Sequence, residues 1–453
     1  MLKRFCLAFS LILIFTSVCI AADTNILGAT PEMSNTGFWI ARTKDADKVL
    51  MTPEKLAAFS RQIQKTEGTH CVDVLSYPDM LTSADLSLRI DSFALPTGPR
   101  YIGDKEVGAD YWSALDIARN LQSAADYNIV RFGVPVRNCA LRSFPTDDVC
   151  YTEPNDVEFD MNMESLLKVW EPVAVLYESA DGLWYCVRCG TCQGWVKKEN
   201  IAIAGKSVLR SIFARDFAVV TGNRIIEDVD HNNPNGERPE LTMGTRLPLA
   251  DPIDSVAGVS TLYSHSVLLP HRGTDGRLKV RTARLPFSAD MSKGFLPYTQ
   301  RNIINQAFKM LGERYGWGGM WGARDCSAFV KDIYSVFGIE LPRNSGWQTK
   351  IPSYHADLSQ MAPKDKAVFI MKQPAGAILQ MGGHIMMYIG RYRGKPYMIN
   401  DMYGIYPANS DVSTDKRTIV NCVAVSGLDV KRKSGKTVLE SLLNLNAVIS
   451  VKP

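Results

Sequence analysis

Five glycines at positions 312, 316, 318, 319 and 322 fix the layout of the last third of this chain. Ahead of them Ile303, Ile304, Ala307, Phe308 and Leu311 recur at helical spacing, and behind them Phe329, Val330, Ile333, Tyr334 and Phe337 do the same until Gly338. Glycine is costly inside an element, so such a cluster marks a tight turn or a close backbone approach. The turn splits one helical stretch into two and delivers Cys326 to the start of the second helix, with Asp325 as its N-cap.

That position changes what a cysteine can do. A free thiol has a pKa of about 8.5, which falls to roughly 3.5–7.5 at a helix N-terminus or beside a histidinium. The N–H groups at the same helix end can cradle an oxyanion. A cysteine that merely packs among Phe329 and Val330 needs neither the glycines nor the polar flanks Asp325 and Ser327. The chain has six histidines. His70, His231, His265 and His271 fall in other predicted units, and His355 sits in a proline-bounded loop. His384 heads the apolar run Ile385 to Ile389 behind Gly382 and Gly383, which leave room for a partner. Paired with a helix-capping cysteine it reads as a general base. A third group should hold its tautomer. Asn400 is the first polar residue of the next predicted strand and Asp401 is the alternate. Strand alternation puts the two on opposite faces, so only one can serve; the reading favours Asn400.

Texture divides the rest. Lys3 and Arg4 precede an apolar stretch from Phe5 to Ile20 and small residues at Ala21 and Ala22, the layout of a secretory signal over 1–22. Val18 disfavours lipidation at Cys19, and the run is short for a membrane span. The mature chain is therefore expected to be exported, without a stable span. Residues 23–45 read as a linker, and 46–128 as mainly helical, with Leu56, Phe59 and Ile63 at helical spacing. Short alternating runs over 129–205 and 206–292 read as two small β-barrels, with one larger sandwich as the alternative. Over 293–428, helices come first and strands follow, including an expected strand Ala367–Ile370; this is α+β. Residues 429–453 read as a tail with a basic stretch Lys431, Arg432, Lys433 and a closing helix near 437–445.

The net charge of +4 drops to +2 without the signal segment, which gives no reason to invoke nucleic acid. Eight of ten cysteines remain after residue 22. Cys186, Cys189 and Cys192 have metal-like spacing, yet a disulfide or unpaired thiols near a hairpin is the favoured reading, because no second pair of that spacing follows. No metal and no cofactor are expected.

Tyr315, Trp317, Gly318 and Gly319, with Asp325-Cys326-Ser327, Leu341-Pro342-Arg343, Gly383-His384 and Asn400, resemble the NlpC-type cysteine peptidases of bacterial cell walls. The resemblance covers about 296–425. It implies a papain-like α+β peptidase domain at the C-terminus. The family's third catalytic residue is often histidine, and Asn400 stands in its place. The upstream layout resembles the multidomain branch, in which a stabilising segment (here 23–128) and two bacterial SH3-like domains (129–205, 206–292) precede the peptidase. The implied substrate is the γ-D-glutamyl bond to a diamino acid in murein stem peptides, with a free N-terminal L-alanine preferred and a periplasmic setting. Tyr315, Asp325 and Ser327 match positions that hold the amine; Arg343 and Ser345 match those near the D-glutamyl carboxylate. Tyr151 or Asp147, in the long loop of the first SH3-like domain, could narrow the cleft. A monomer is expected. An amidase or acyltransferase with the same Cys–His site, or a non-catalytic wall-binding protein, are the competing readings.

Overall fold

A computed structural model describes residues 24–227 and 238–449. The expected signal segment and the loop carrying His231 lie outside the described residues. The chain is multidomain and mostly sheet. Behind Cys326 stands a six-stranded antiparallel sheet in the order Tyr354–Asp357, Leu442–Ala447, Ile378–Met381, His384–Tyr392, Lys395–Ile405, Thr418–Gly427. Both faces are covered, which is why its strands read as nearly unbroken apolar runs. Ile385, Met387 and Ile389 meet helices Gln300–Phe308 and Cys326–Ser335, while Met386 and Tyr388 pack on the opposite side with Ile370.

Three expectations change here. Ala367–Ile370 is the end of a helix, Pro363–Ile370, not a strand. Pro363 at its first turn favours a helix start, and four apolar residues alone cannot tell the two periods apart. Residues 429–449 are not a tail. Strand Leu442–Ala447 lies inside the sheet, between Tyr354–Asp357 and Ile378–Met381, and the expected closing helix is only Val438–Ser441. Nor are residues 23–45 a linker, since Leu27, Ala29, Met33 and Trp39 are buried in the cores on the two faces of this sheet. Trp39 donates its indole N–H to Met33 O at 2.8 Å and lies against Gly390, where an added Cβ would come within 3.0 Å of the ring.

The following segment holds helices Pro53–Ile63, Ser83–Ile90 and Ala109–Ala118. The expected stripe Leu56, Phe59, Ile63 is buried in the first of them. A seven-stranded antiparallel sheet then runs in the order Ile201–Ile203, Arg131–Pro135, Val173–Glu178, Trp184–Cys189, Gln193–Lys197, Cys139–Arg142, Met163–Leu167. The next β region contributes a three-stranded sheet and a long hairpin, Ser264–Arg272 with Leu278–Pro286. The two regions keep separate sheets yet share one core, in which Trp170, Trp184 and Trp195 join Val220, Leu247, Val267 and Leu285. The first region also has a second core of its own, with Leu141, Leu167, Val173, Tyr185 and Val187.

Cys189 and Cys192 face each other across the hairpin turn with their sulfurs 3.3 Å apart. Cys186, three residues earlier on the same strand, packs in the core on the other side of that sheet, so the three do not converge. Among the described residues no group of three or more His, Cys, Asp or Glu side chains could hold a metal.

Candidate active site

The glycine turn is shaped by what it touches. Gly318 and Gly319 have φ of +62° and +96°, and a Cβ on either would come within 2.7 Å of Met163 or Leu166, on the strand Met163–Leu167 of the first β region. Side chains are excluded there both by backbone conformation and by space. The turn is thus pressed against a neighbouring domain while it presents Cys326.

Asp325 organises the helix start. Its Oδ1 accepts from the N–H groups of Ser327 (3.1 Å) and Ala328 (2.9 Å) and from Ser327 Oγ (2.9 Å), while Oδ2 accepts from Gly318 N at 3.2 Å. Arg343 closes a two-pronged pair on it, with Nη2 2.6 Å from Oδ2 and Nη1 3.1 Å from Oδ1. The guanidinium also donates to Ser327 Oγ at 2.8 Å and to Ser165 Oγ at 3.0 Å. The resemblance places Arg343 near a substrate carboxylate; here its planar fork is filled by a carboxylate of the protein. Arg343 is a clamp that fixes Asp325. Despite burial, this pairing holds the Asp325 carboxyl below the usual carboxylate range. Ser345, half-buried at the start of helix Ser345–Gln348, shares no hydrogen bond with this cluster among the described residues.

His384 opens strand His384–Tyr392, and its Nε2 lies 2.7 Å from Asn400 Oδ1. An amide oxygen only accepts, so Nε2 carries the proton and Nδ1 keeps its lone pair as a base. The backbone N–H of Ile385, the next residue, points at the Cys326 thiol and favours its ionised form. Cys326 is nonetheless 8% exposed, and burial together with the Asp325 charge pushes its thiol up to about 12. Burial also lowers the His384 imidazole, against the help of Asn400. Desolvation thus opposes the lowered thiol pKa expected from helix position, and it disfavours the charged forms of both the thiol and the imidazole. Asp401 falls on the face opposite to Asn400, as alternation requires. It is fully buried and neither of its carboxylate oxygens has a hydrogen-bond partner. His355, the rival base, pairs instead with Asn444 at 2.9 Å, on the sheet's edge strand.

A cavity of about 330 Å³ opens beside the pair, lined by Tyr315, Trp317, His384 and Asn400. Burial and the nearby Cys326 and Asp325 keep the Tyr315 hydroxyl strongly un-ionised. A larger cavity of about 650 Å³, beyond the glycine turn at Met320, Trp321 and Arg142, contains none of the candidate residues.

Sequence reasoning missed several lining residues. Phe159, from the loop of the first β region, packs edge-on against Trp317 at 5.6 Å and Tyr403 at 4.8 Å between ring centres. Glu158 beside it pairs with Arg314 at 2.8 Å. Tyr151 and Asp147, the expected contributors from this loop, do not line the cavity. Tyr151 is buried in a backbone bridge to Tyr101, and Asp147 pairs with Lys197 at 2.6 Å. The loop is the expected one, but the residue it brings to the cavity is Phe159. Arg417 and Lys431 to Lys433 also line the cavity.

Comparison with known proteins places these features. Residues 312–413 match the NlpC/P60 family model, and residues 150–197 match an SH3 domain model of the SH3b1 type. Gamma-D-glutamyl-L-lysine dipeptidyl-peptidase of Bacillus cereus is 30% identical over 158 residues, which is 33% of this chain and 40% of that protein. Its Bacillus subtilis counterpart is also 30% identical over 158 residues, 34% of this chain and 46% of that protein. The chain therefore spans less than half the length of these curated relatives. A probable endopeptidase p60 of Listeria monocytogenes is 34% identical over 99 residues, 22% of this chain and 18% of that protein. A solved NlpC/P60 endopeptidase from Photobacterium damselae subsp. piscicida superposes with a TM-score of 0.70, covering 89% of this chain and 94% of that one at 18% identity. That likeness is one of fold.

Proposed function

Residues 312–413 match the NlpC/P60 family and residues 150–197 an SH3-type domain ahead of them, and on that premise we propose that this chain is an exported cysteine endopeptidase of the cell wall. It hydrolyses the γ-D-glutamyl bond to a diamino acid in murein stem peptides, in substrates whose N-terminal L-alanine is free. The observation that carries this reading is the 2.7 Å bond from His384 to Asn400, because it frees Nδ1 to act as the base. The names of the Bacillus relatives support the choice of bond.

In this scheme the neutral imidazole removes the Sγ proton as sulfur attacks the γ-glutamyl carbonyl, so the thiolate forms only along the reaction path. Asp325 takes two of the first three helix N–H groups, those of Ser327 and Ala328. The Cys326 N–H is left to meet the oxyanion. The imidazolium then protonates the leaving amine, and water reverses the sequence on the acyl-thiol. Selection of a free amine falls to the Tyr315 hydroxyl and Asp325 Oδ2, the less crowded of the two carboxylate oxygens. Ser327 and Arg343 hold that carboxylate in place, and Trp317 walls the cavity.

Mass spectrometry of products from L-Ala-γ-D-Glu-diamino acid peptides tests this, using matched peptides with free and acetylated amines. Cleavage of the γ-bond by wild type and none by Cys326→Ala is expected. No hydrolysis by the intact protein sinks the reading, and equal turnover of the two amines sinks the assignment of Tyr315 and Asp325.

A further inference from the structure

The cavity beside His384 has a one-sided charge. Among the described residues lining it, every carboxylate is missing, and the charged side chains are Arg417, Lys431, Arg432 and Lys433. All four lie beyond residue 413, the end of the matched family domain. Arg417 comes from the connection between strands Lys395–Ile405 and Thr418–Gly427, and Lys431, Arg432 and Lys433 from the segment that leads to the inserted sheet strand. Residues 431–437 fold back as a small hairpin, with Arg432 N bonded to Lys436 O and Lys431 paired in both directions with Tyr406. Arg432 is pinned at the histidine turn by a 2.9 Å bond to Gly382 O. Arg417 is held by Gly404 O at 2.9 Å and lies 5.1 Å over the Tyr403 ring. Both Arg417 and Lys433 are exposed.

Position decides which half of a substrate meets these cations. Whatever leaves must be protonated by His384, so the leaving half lies on the histidine side, where Arg432 is docked. The acyl half lies toward Asp325. We propose that Arg417, Lys431, Arg432 and Lys433 form a carboxylate-selecting subsite for the leaving half of the substrate. This inference rests on the peptidase reading above and narrows it. The favoured leaving residue is a diamino acid that carries a carboxylate on its side chain, or one that ends the peptide with a free α-carboxylate. A lysine side chain brings only a further cation and is disfavoured by like-charge repulsion.

The experiment uses peptides that share L-Ala-γ-D-Glu and differ only in the leaving residue: diaminopimelate, lysine or norleucine, each as α-acid and as α-amide. The full chain is assayed for kcat/KM, and Cys326→Ala for binding by calorimetry. Diaminopimelate is expected to exceed lysine by about tenfold, with norleucine between, the scale of one or two partly solvated charge contacts. Lys433→Gln combined with Arg417→Gln, both at exposed positions, should shrink that ratio severalfold; Arg432→Gln should shrink it further. A preference that follows the α-carboxylate alone assigns the rim to the peptide end; one that follows the side chain assigns it to the diamino acid. Equal rates and equal binding for all six peptides overturn the proposal. Charge-selective binding without turnover by wild type would overturn the peptidase reading and leave the subsite standing.

Discussion

Replacing Asp401 by asparagine should stabilise the protein at neutral pH, by an amount that grows with pH. The side chain is fully buried and neither oxygen has a hydrogen-bond partner. Burial first, then the charges of Asp325 and Glu313, push its carboxyl up to about 9, with Arg324 opposing. The folded state therefore holds a proton that the unfolded chain, near the ordinary 3.8, has released. A raised pKa gives stability that is fully present below the unfolded value and is lost as pH rises toward the folded one. At about 1.4 kcal/mol per pH unit, the window from pH 5 to pH 8 costs the wild type roughly 4 kcal/mol as an upper bound. Asparagine has nearly the same shape and does not titrate. Urea unfolding of the two proteins at pH 5 and pH 8, read by tryptophan fluorescence, should show their stability difference shifting toward the variant by up to that amount. A difference that is flat between the two pH values would mean that Asp401 is ionised in the folded protein, and the argument from its burial would fail. Since the variant keeps the neutral form, turnover should persist, which separates Asp401 from Asn400.

Asn400→Ala should lower kcat by about 10- to 100-fold with little change in KM, because it removes an orienting bond and no substrate contact; a dominant KM effect would refute that role. The lowered His384 imidazole keeps the base unprotonated further into acid, so the acid limb of kcat/KM against pH should fall below 6.5, and a limb at or above that value would contradict it. Gly319→Ala sets a Cβ 2.7 Å from Leu166 at φ +96° and should cost about 1–3 kcal/mol in unfolding experiments, together with activity, since the turn carries Cys326. Trp39→Ala empties a fully buried site and should cost about 3–5 kcal/mol, a loss that a true linker residue would not show.

What could be read from residues alone was what local physics decides. The helical stripe around Phe329 and Val330, the Asp325 cap and the period-2 faces of Asn400 and Asp401 depend on a few neighbours in sequence. Such signals put Cys326 at a helix start and His384 next to Asn400. Phe159 and the cations at 417 and 431–433 depend on long-range docking, which leaves no periodic trace. The same holds for Arg343, whose partner Asp325 is 18 positions away. At 437–447 a strong local signal misled. Thr437 and Glu440 form a complete capping box, but the helix they open lasts four residues before Leu442 and Leu445 enter the sheet. At Cys326 the helix position was legible and its consequence was not, because desolvation is set by the whole fold.

The placement of strand Leu442–Ala447 inside the sheet has a consequence for the timing of synthesis. Its two neighbours, Tyr354–Asp357 and Ile378–Met381, have no ladder with each other and meet only through it. A ribosome that has made the cysteine, the histidine and the asparagine has still not made the piece that joins the sheet. Until residues 442–447 emerge, the edge of Ile378–Met381 stays open and the hairpin leading to His384 is supported from one side only. A growing chain thus carries Cys326, His384 and Asn400 well before it has the strand that frames them.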